Sequence, residues 1–366
     1  MYLCPACGRR EPDDALVWRC TCGSYLNYDG APLLRRDDIR TEERSLWRYD
    51  AALPIRQSNA VAYFGEGMTP LVPSLREGGP ILFKLEYLMP SGSFKDRGSA
   101  VLANALRMRG VHEVVEDSSG NAGASLACYA ARAGLDCEVY TPASTSAGKL
   151  GQISAHGAGL VRVPGSRDDT ATAVREAAER RFYASHNWQP LFVEGMKTLG
   201  WELWEQLGFR APDAVVLAVG LGSALLGSFY AFRGLVEAGE LSRMPRLYAV
   251  QASLCAPIHA AFQAGADDIA GVVPGKSVAE GVATGRPIRR KEIMAALRES
   301  GGGTAVATDE EILAAQHDLA AEGLYVEPTA ALPLAAARHL LASGELHAGD
   351  ANVVMLGGSG LKQGST

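Results

Sequence analysis

Lys95 stands in the stretch Ser91-Gly92-Ser93-Phe94-Lys95-Asp96-Arg97-Gly98, behind small residues and ahead of a run rich in Ala and Leu. A helix start gathers unsatisfied N–H groups and the positive end of the helix dipole. A lysine held there can have its pKa lowered enough to attack an aldehyde as a free amine. Two other stretches suit anions. Asp117-Ser118-Ser119-Gly120-Asn121-Ala122-Gly123 follows an apolar run, precedes a helical pattern and offers backbone N–H groups to a carboxylate. Gly220-Leu221-Gly222-Ser223-Ala224 stands in the same arrangement and suits a phosphate. Near the N-terminus, Cys4-x-x-Cys7 and Cys20-x-Cys22 are each followed by a glycine, and four thiolates suit a tetrahedral Zn²⁺. Each feature has a plainer reading when taken alone. Lys95 fits a surface lysine on a tight turn, the serine loop an empty strand-to-helix turn, and the cysteines a reduced, metal-free ribbon.

The elements that must position these residues alternate along the chain. Strands are expected at 81–86, 111–116, 137–140, 159–163, 182–185, 214–219, 247–251 and 352–356. Helices are expected at 99–108, 126–133, 147–155, 169–181 and 228–237. Such alternation predicts parallel sheets with helices on their faces, an α/β class. The glycines at 220 and 222 also fit a dinucleotide turn, but no acidic residue closes the next strand, Leu247-Tyr248-Ala249-Val250-Gln251. Cys128, Cys137, Cys255 and His259 lie in apolar surroundings and read as packing residues.

A chain of 366 residues holds two domains or more. Net charge of -6 argues against a nucleic-acid surface. No apolar run reaches the length of a membrane span, and Met1-Tyr2-Leu3-Cys4 has no signal-peptide pattern, so the cytoplasm is the expected address.

The lysine stretch resembles the Schiff-base lysine segment of pyridoxal-phosphate enzymes of fold type II, the tryptophan synthase β-like group, and within it threonine synthases. Gly65-Glu66-Gly67-Met68-Thr69-Pro70-Leu71, Ser118 to Ser125, Gly220 to Gly227, Glu280-Gly281, Glu327-Pro328-Thr329 and Gly357 to Lys362 resemble further segments of that family. The resemblance implies a two-domain, three-layer αβα fold with a short N-terminal zinc-ribbon-like segment. Its expected divisions are 1–30 for the ribbon, 31–97 for an arm and the start of the large domain, 98–185 for a small domain, and 186–366 for the rest of the large domain. It implies pyridoxal 5'-phosphate on Lys95, with Asn121 at the cofactor ring oxygen and Gly220, Leu221, Gly222, Ser223 and Ala224 at its phosphate. Ser118, Ser119, Gly120 and Ala122 would cradle the substrate carboxylate, and Cys4, Cys7, Cys20 and Cys22 a structural zinc.

Two positions depart from the family pattern. Phe192 stands near where an arginine for a substrate phosphate is expected. Gly357 stands where a hydroxyl meets the pyridine nitrogen, with Ser359 two residues on. The resemblance implies hydrolysis of O-phospho-L-homoserine to L-threonine and phosphate by a homodimer that takes a small amino acid and binds neither nucleic acid nor membrane. Elimination or replacement on serine, threonine, phosphoserine or diaminopropionate is the alternative. A low-turnover amino-acid-binding protein is the alternative of another class.

Overall fold

The chain was described from a computed structural model that covers residues 1–77, 81–118, 120–145, 147–165 and 167–362. Three short strands open it, β1 (Tyr2–Leu3), β2 (Arg10–Glu11) and β3 (Asn27–Tyr28), before β4 (Leu71–Pro73) and β5 (Ile81–Lys84). Then come α1 (Asp96–Met108), β6 (Glu113–Glu116), α2 (Asn121–Ala133) and β7 (Asp136–Pro142). The alternation continues through α3 (Ala147–Ala155), β8 (Gly159–Val163), α4 (Arg167–Ala177), β9 (Phe182–Tyr183) and α5 (Pro190–Gln206). It goes on with β10 (Ala214–Ala218), α6 (Ser223–Glu237), β11 (Arg246–Ala252), α7 (Pro257–Gln263) and α8 (Arg290–Glu299). The last elements are β12 (Gly303–Ala307), α9 (Asp309–Ala321), α10 (Pro328–Ala342) and β13 (Asn352–Met355).

These elements fall into two compact units. The first is Met1–Gly67 and Lys95–Met196 together with Lys362; the second is Met68–Phe94 and Lys197–Leu361.

In the first unit, β2, β1 and β3 form an antiparallel sheet in that order. A four-stranded parallel sheet follows the order β8-β7-β6-β9, with Val114 opposite Cys137 and Val115 opposite Tyr183. Cys128 and Cys137 are buried, as their apolar surroundings predict. The helix expected from residue 99 begins at Asp96, whose acid suits the positive end of the helix. Helix α1 is tied to α2 by Ser125, whose hydroxyl donates to Asp96 Oδ1 at 2.6 Å and lies 2.8 Å from Ser99 Oγ. It is tied to the preceding arm by the buried Asn104, whose Oδ1 accepts from the amides of Val61 and Ala62 at 2.8 Å each. With Asn104 Nδ2 donating to the Ala62 carbonyl at 2.8 Å, three bonds to one side chain hold that arm without a strand of its own. The arm has its own polar anchor in Glu66, which accepts from Trp47 Nε1 and from the Phe64 amide, both at 2.7 Å.

In the second unit, a six-stranded sheet follows the order β12-β11-β10-β13-β5-β4. Five strands run parallel, and β4 pairs antiparallel with β5 at the edge. Ala214 and Val216 join a core with Ile312 and Leu319 of α9 and Leu332 and Ala336 of α10. Val215 and Leu217 point to the opposite face and are equally buried, so both faces are covered, as the continuous apolar run of β10 requires.

Candidate functional site

The first unit carries the lysine. Lys95 is the N-cap of α1, and its side chain makes no capping bond. Its carbonyl accepts from the amides of Gly98 at 3.1 Å and Ser99 at 3.0 Å, which fixes the helix start. Phe192 lies 5.7 Å from Lys95 Nζ, measured to the ring centroid, and is buried. The ring seats on bare backbone, because a Cβ on Gly98 would stand 2.6 Å from three of its carbons. Beside it, Gly195 of α5 meets the backbone of Arg97 so closely that a Cβ there would overlap the Arg97 carbonyl oxygen. Glycine at these two places is what lets α5 seat against the start of α1.

Lys95 is half-buried in residue surface, yet dense protein around it pulls its amine down to about 8, with Glu116 acting in the opposite direction. About one amine in ten is then uncharged at pH 7, against roughly three in ten thousand for an ordinary lysine. Lys84 offers the contrast. It is fully buried, donates to the Thr69 carbonyl at 2.6 Å and Gln206 Oε1 at 2.8 Å, and pairs with Glu202. That ammonium has its hydrogens committed and is no nucleophile.

The serine loop of the same unit ends β6 and starts α2. Gly120 is the N-cap, and no side chain caps the helix. Its amide lies 3.4 Å from Ser118 Oγ. A Cβ on Gly123 would overlap the Ser118 carbonyl oxygen, so glycine there lets the loop fold down on the first turn. Asn121 and Ala122 open the helix, with Asn121 half-buried. The role expected for Ser119 lies outside the described residues.

Residues that the sequence did not single out lie in the same unit, and the charge of one of them, Glu116, acts on Lys95. Glu116 ends β6 almost wholly buried, and its carboxylate accepts from the amides of Asp117 at 3.0 Å and His186 at 3.1 Å. His186 Nδ1 lies 3.2 Å from Glu116 Oε1, and its ring stands edge-on to Phe192 at 5.9 Å. Burial pushes Glu116 above its ordinary value while these amides and Lys95 pull it back. Burial, then the charge of Glu116, pushes Asp117 up to about 6. The available signal was a Glu-Asp pair interrupting an apolar strand just before a small-residue turn.

The second unit carries the other cradle. Gly222 is the N-cap of α6 in the left-handed region, φ +85°, and no side chain caps the helix. A Cβ on Gly222 would stand 2.5 Å from Ile293, and one on Gly220 would stand 3.1 Å from the Gly281 carbonyl oxygen. Leu221, Ser223 and Ala224 complete the turn. The separate motifs of this unit are bonded together. The Gly281 amide donates to Thr329 Oγ1 at 3.1 Å, and the Glu327 amide to the Gly358 carbonyl at 3.0 Å. Phe94 donates its amide to the Gly357 carbonyl at 3.0 Å, and Ser359 to the Gly92 carbonyl at 3.0 Å. The end of β13 thus pins the residues just before Lys95 in the chain. Gly357 is covered by the Phe94 ring, 3.1 Å from where a Cβ would stand, so a hydroxyl-bearing residue would need that ring to give by a few tenths of an ångström. Ser359 Oγ accepts from the Leu361 amide at 3.2 Å and keeps its own proton to donate.

At the N-terminus, Cys4, Cys7, Cys20 and Cys22 bring four sulfurs within 4.8 Å of one another. Gly8 and Gly23, at φ +72° and +87°, close the two knuckles by donating to the carbonyls of Cys4 at 3.0 Å and Cys20 at 2.8 Å. A surface hollow of about 510 Å³ in the second unit, lined by Phe209, Asp213 and Arg243 among others, shares no residue with any of these motifs.

A family model described as pyridoxal-phosphate dependent enzyme matches residues 62–358. The chain is 33% identical to the threonine synthase of Methanocaldococcus jannaschii, over 99% of this chain and 93% of the relative. It is 34% identical to that of Methanosarcina acetivorans, over 99% and 92%. Among solved structures it is similar to the T.th. threonine deaminase, with a TM-score of 0.68 and 28% identity, covering 80% of this chain and 92% of that one. Maize serine racemase shares the fold, with a TM-score of 0.69 and 21% identity over 80% of this chain and 88% of that one.

Proposed function

From the premise that the chain belongs to the pyridoxal-phosphate dependent enzymes, as a threonine synthase-like member of fold type II, we propose that this lyase converts O-phospho-L-homoserine and water to L-threonine and phosphate. The observation that carries the chemistry is the amine of Lys95, lowered to about 8 at the start of α1. It speaks against a protein that only binds an amino acid. Likeness to threonine synthases across 99% of the chain supports the substrate.

Each unit holds residues that suit one part of the cofactor. The turn at Gly220–Ala224 is an uncapped helix start whose two glycines pack too closely on Ile293 and Gly281 to carry a side chain, and such a start suits a phosphate. Lys95 offers the amine for the aldehyde, Asn121 an amide for the ring oxygen, and Ser359 a hydroxyl for the ring nitrogen. When bound, pyridoxal phosphate supplies an electron sink for negative charge at the substrate α-carbon. Lys95 then holds the α proton at Nζ. The helix start of α2, with Ser118, Gly120 and Ala122, orients the substrate carboxylate, and Ser119 is proposed for the same cradle from sequence.

Phe192 favours a second substrate reading. An apolar ring 5.7 Å from Lys95 Nζ supplies no cation for a phosphate, which suits a neutral side chain such as that of serine or threonine. Phosphate release from O-phospho-L-homoserine, set against ammonia and keto-acid release from serine, threonine, phosphoserine and diaminopropionate, separates the two. The first reading requires phosphate release to dominate, and dominant keto-acid release would replace it with the second.

We also propose a structural zinc on Cys4, Cys7, Cys20 and Cys22. Four thiolates at about 2.3 Å from one ion stand about 3.8 Å apart, and the Cys4–Cys22 and Cys7–Cys20 sulfurs lie 3.5 and 3.6 Å apart. Replacing Cys7 and Cys22 by serine is expected to remove the metal and lower the melting temperature, because site binding is coupled to local folding. Metal analysis by plasma mass spectrometry with a thermal melt checks this, and a metal-free wild-type protein would refute it. A homodimer remains the proposed assembly, open to sedimentation. No helix among the described residues is long and apolar enough to cross a membrane.

A further inference from the structure

We propose that Glu116 is a positioning residue for Lys95, a buried counter-charge pinned by His186 and the Asp117 amide that holds the lysine's proton once the amine has taken it. The inference rests on the reading of Lys95 as the base of the lyase. When the substrate C–H bond breaks, its proton forms a new N–H bond with the Nζ lone pair and the carbon keeps the electron pair. The amine thereby becomes a cation where the surroundings disfavour one, since burial already pulls Lys95 down to about 8. Glu116 supplies the opposing charge from the end of β6, with only 1% of its surface exposed.

A carboxylate in that position stays ionised only if its oxygens are satisfied. Two amide donors and His186 Nδ1 do this at 3.0 to 3.2 Å. With Glu116 ionised, Nδ1 is the protonated ring nitrogen. His186 stands edge-on to Phe192 and Lys95 Nζ lies over the Phe192 ring, so one row of side chains runs from the carboxylate to the amine. The other titratable groups facing Glu116 are Asp117 beside it, Tyr183 on β9 and Cys137 on β7. Tyr183 and Cys137 are raised by burial and by the charge of Glu116, and remain neutral near pH 7. Asp117, pushed up to about 6, adds a second negative charge above that pH and loses it below.

The test titrates Lys95 in the full chain freed of cofactor, by trace acetylation across pH and mass spectrometry of its peptide. In parallel, the absorbance of the cofactor-loaded protein is followed across pH. Glu116→Gln is expected to move both midpoints to lower pH by about one unit, and Glu116→Asp to restore most of that change. Glu116→Thr, smaller and neutral, serves if the amide does not fold. Midpoints unmoved in the neutral variants would reduce Glu116 to a packing role and overturn the inference. A cofactor adduct mapped to a residue other than Lys95 would instead overturn the lyase reading beneath it, so the two failures are told apart.

Discussion

Lys95→Ala is expected to yield a folded, colourless protein whose turnover falls by about 10³-fold or more. Helix α1 does not depend on this side chain, because Lys95 makes no capping bond and its backbone carbonyl still accepts from Gly98 and Ser99. The change removes the amine that anchors the cofactor and the base that takes the proton, so both functions go together. Lys84 cannot substitute, with its ammonium held by Thr69, Gln206 and Glu202. Cofactor absorbance, circular dichroism and turnover on the best substrate of the panel measure the outcome. A variant that stays yellow and active would show that another amine does the work.

Gly195→Ala is expected to be strongly destabilising. Its Cβ would overlap the Arg97 carbonyl oxygen and stand 2.9 Å from the Arg97 carbonyl carbon and from Gly98 Cα. Those are backbone atoms at the very start of α1, so relief requires α5 or α1 to move rather than a side chain to turn. Overpacking of this kind costs about 3 kcal/mol or more. The displaced helix start carries Lys95, so the cofactor content should fall along with the melting temperature. Gly151→Ala in α3 is the control, because its Cβ would meet open space, and it should stabilise by about 0.4–1 kcal/mol. Chemical denaturation of both variants checks the contrast, and equal stabilities would contradict the packing assigned to Gly195.

The alternation of strands and helices was legible because β10 is a short apolar run, β6 and β7 carry β-branched residues between turns, and α1, α2 and α6 are rich in Ala and Leu. The lysine and both glycine-rich turns were legible for the same reason, since each needs particular residue types at fixed spacing. Helix α5 was missed because Pro190-Leu191-Phe192-Val193-Glu194-Gly195 was read for motif register rather than period. A proline at the first helical position favours the start that the structure shows. A turn at Gly65–Leu71 leading into a strand was legible, but the antiparallel pairing of that short edge strand β4 with β5 was not. Phe192 was read as a missing arginine, and the structure adds what takes its place: a ring seated on Gly98 beside Lys95. Glu116 and His186 were not singled out, because they lie 70 residues apart and meet only when β6 and β9 pair. Such long-range polar contacts leave no local period to read.

Lys95 is proposed to carry the cofactor. Borohydride reduction of the purified yellow protein, followed by digestion and peptide mass spectrometry, tests it most directly. The reduced pyridoxal phosphate adduct is predicted on the peptide containing Lys95, with fragment ions placing it on that residue. An adduct on Lys84, Lys197 or any other lysine would contradict the account.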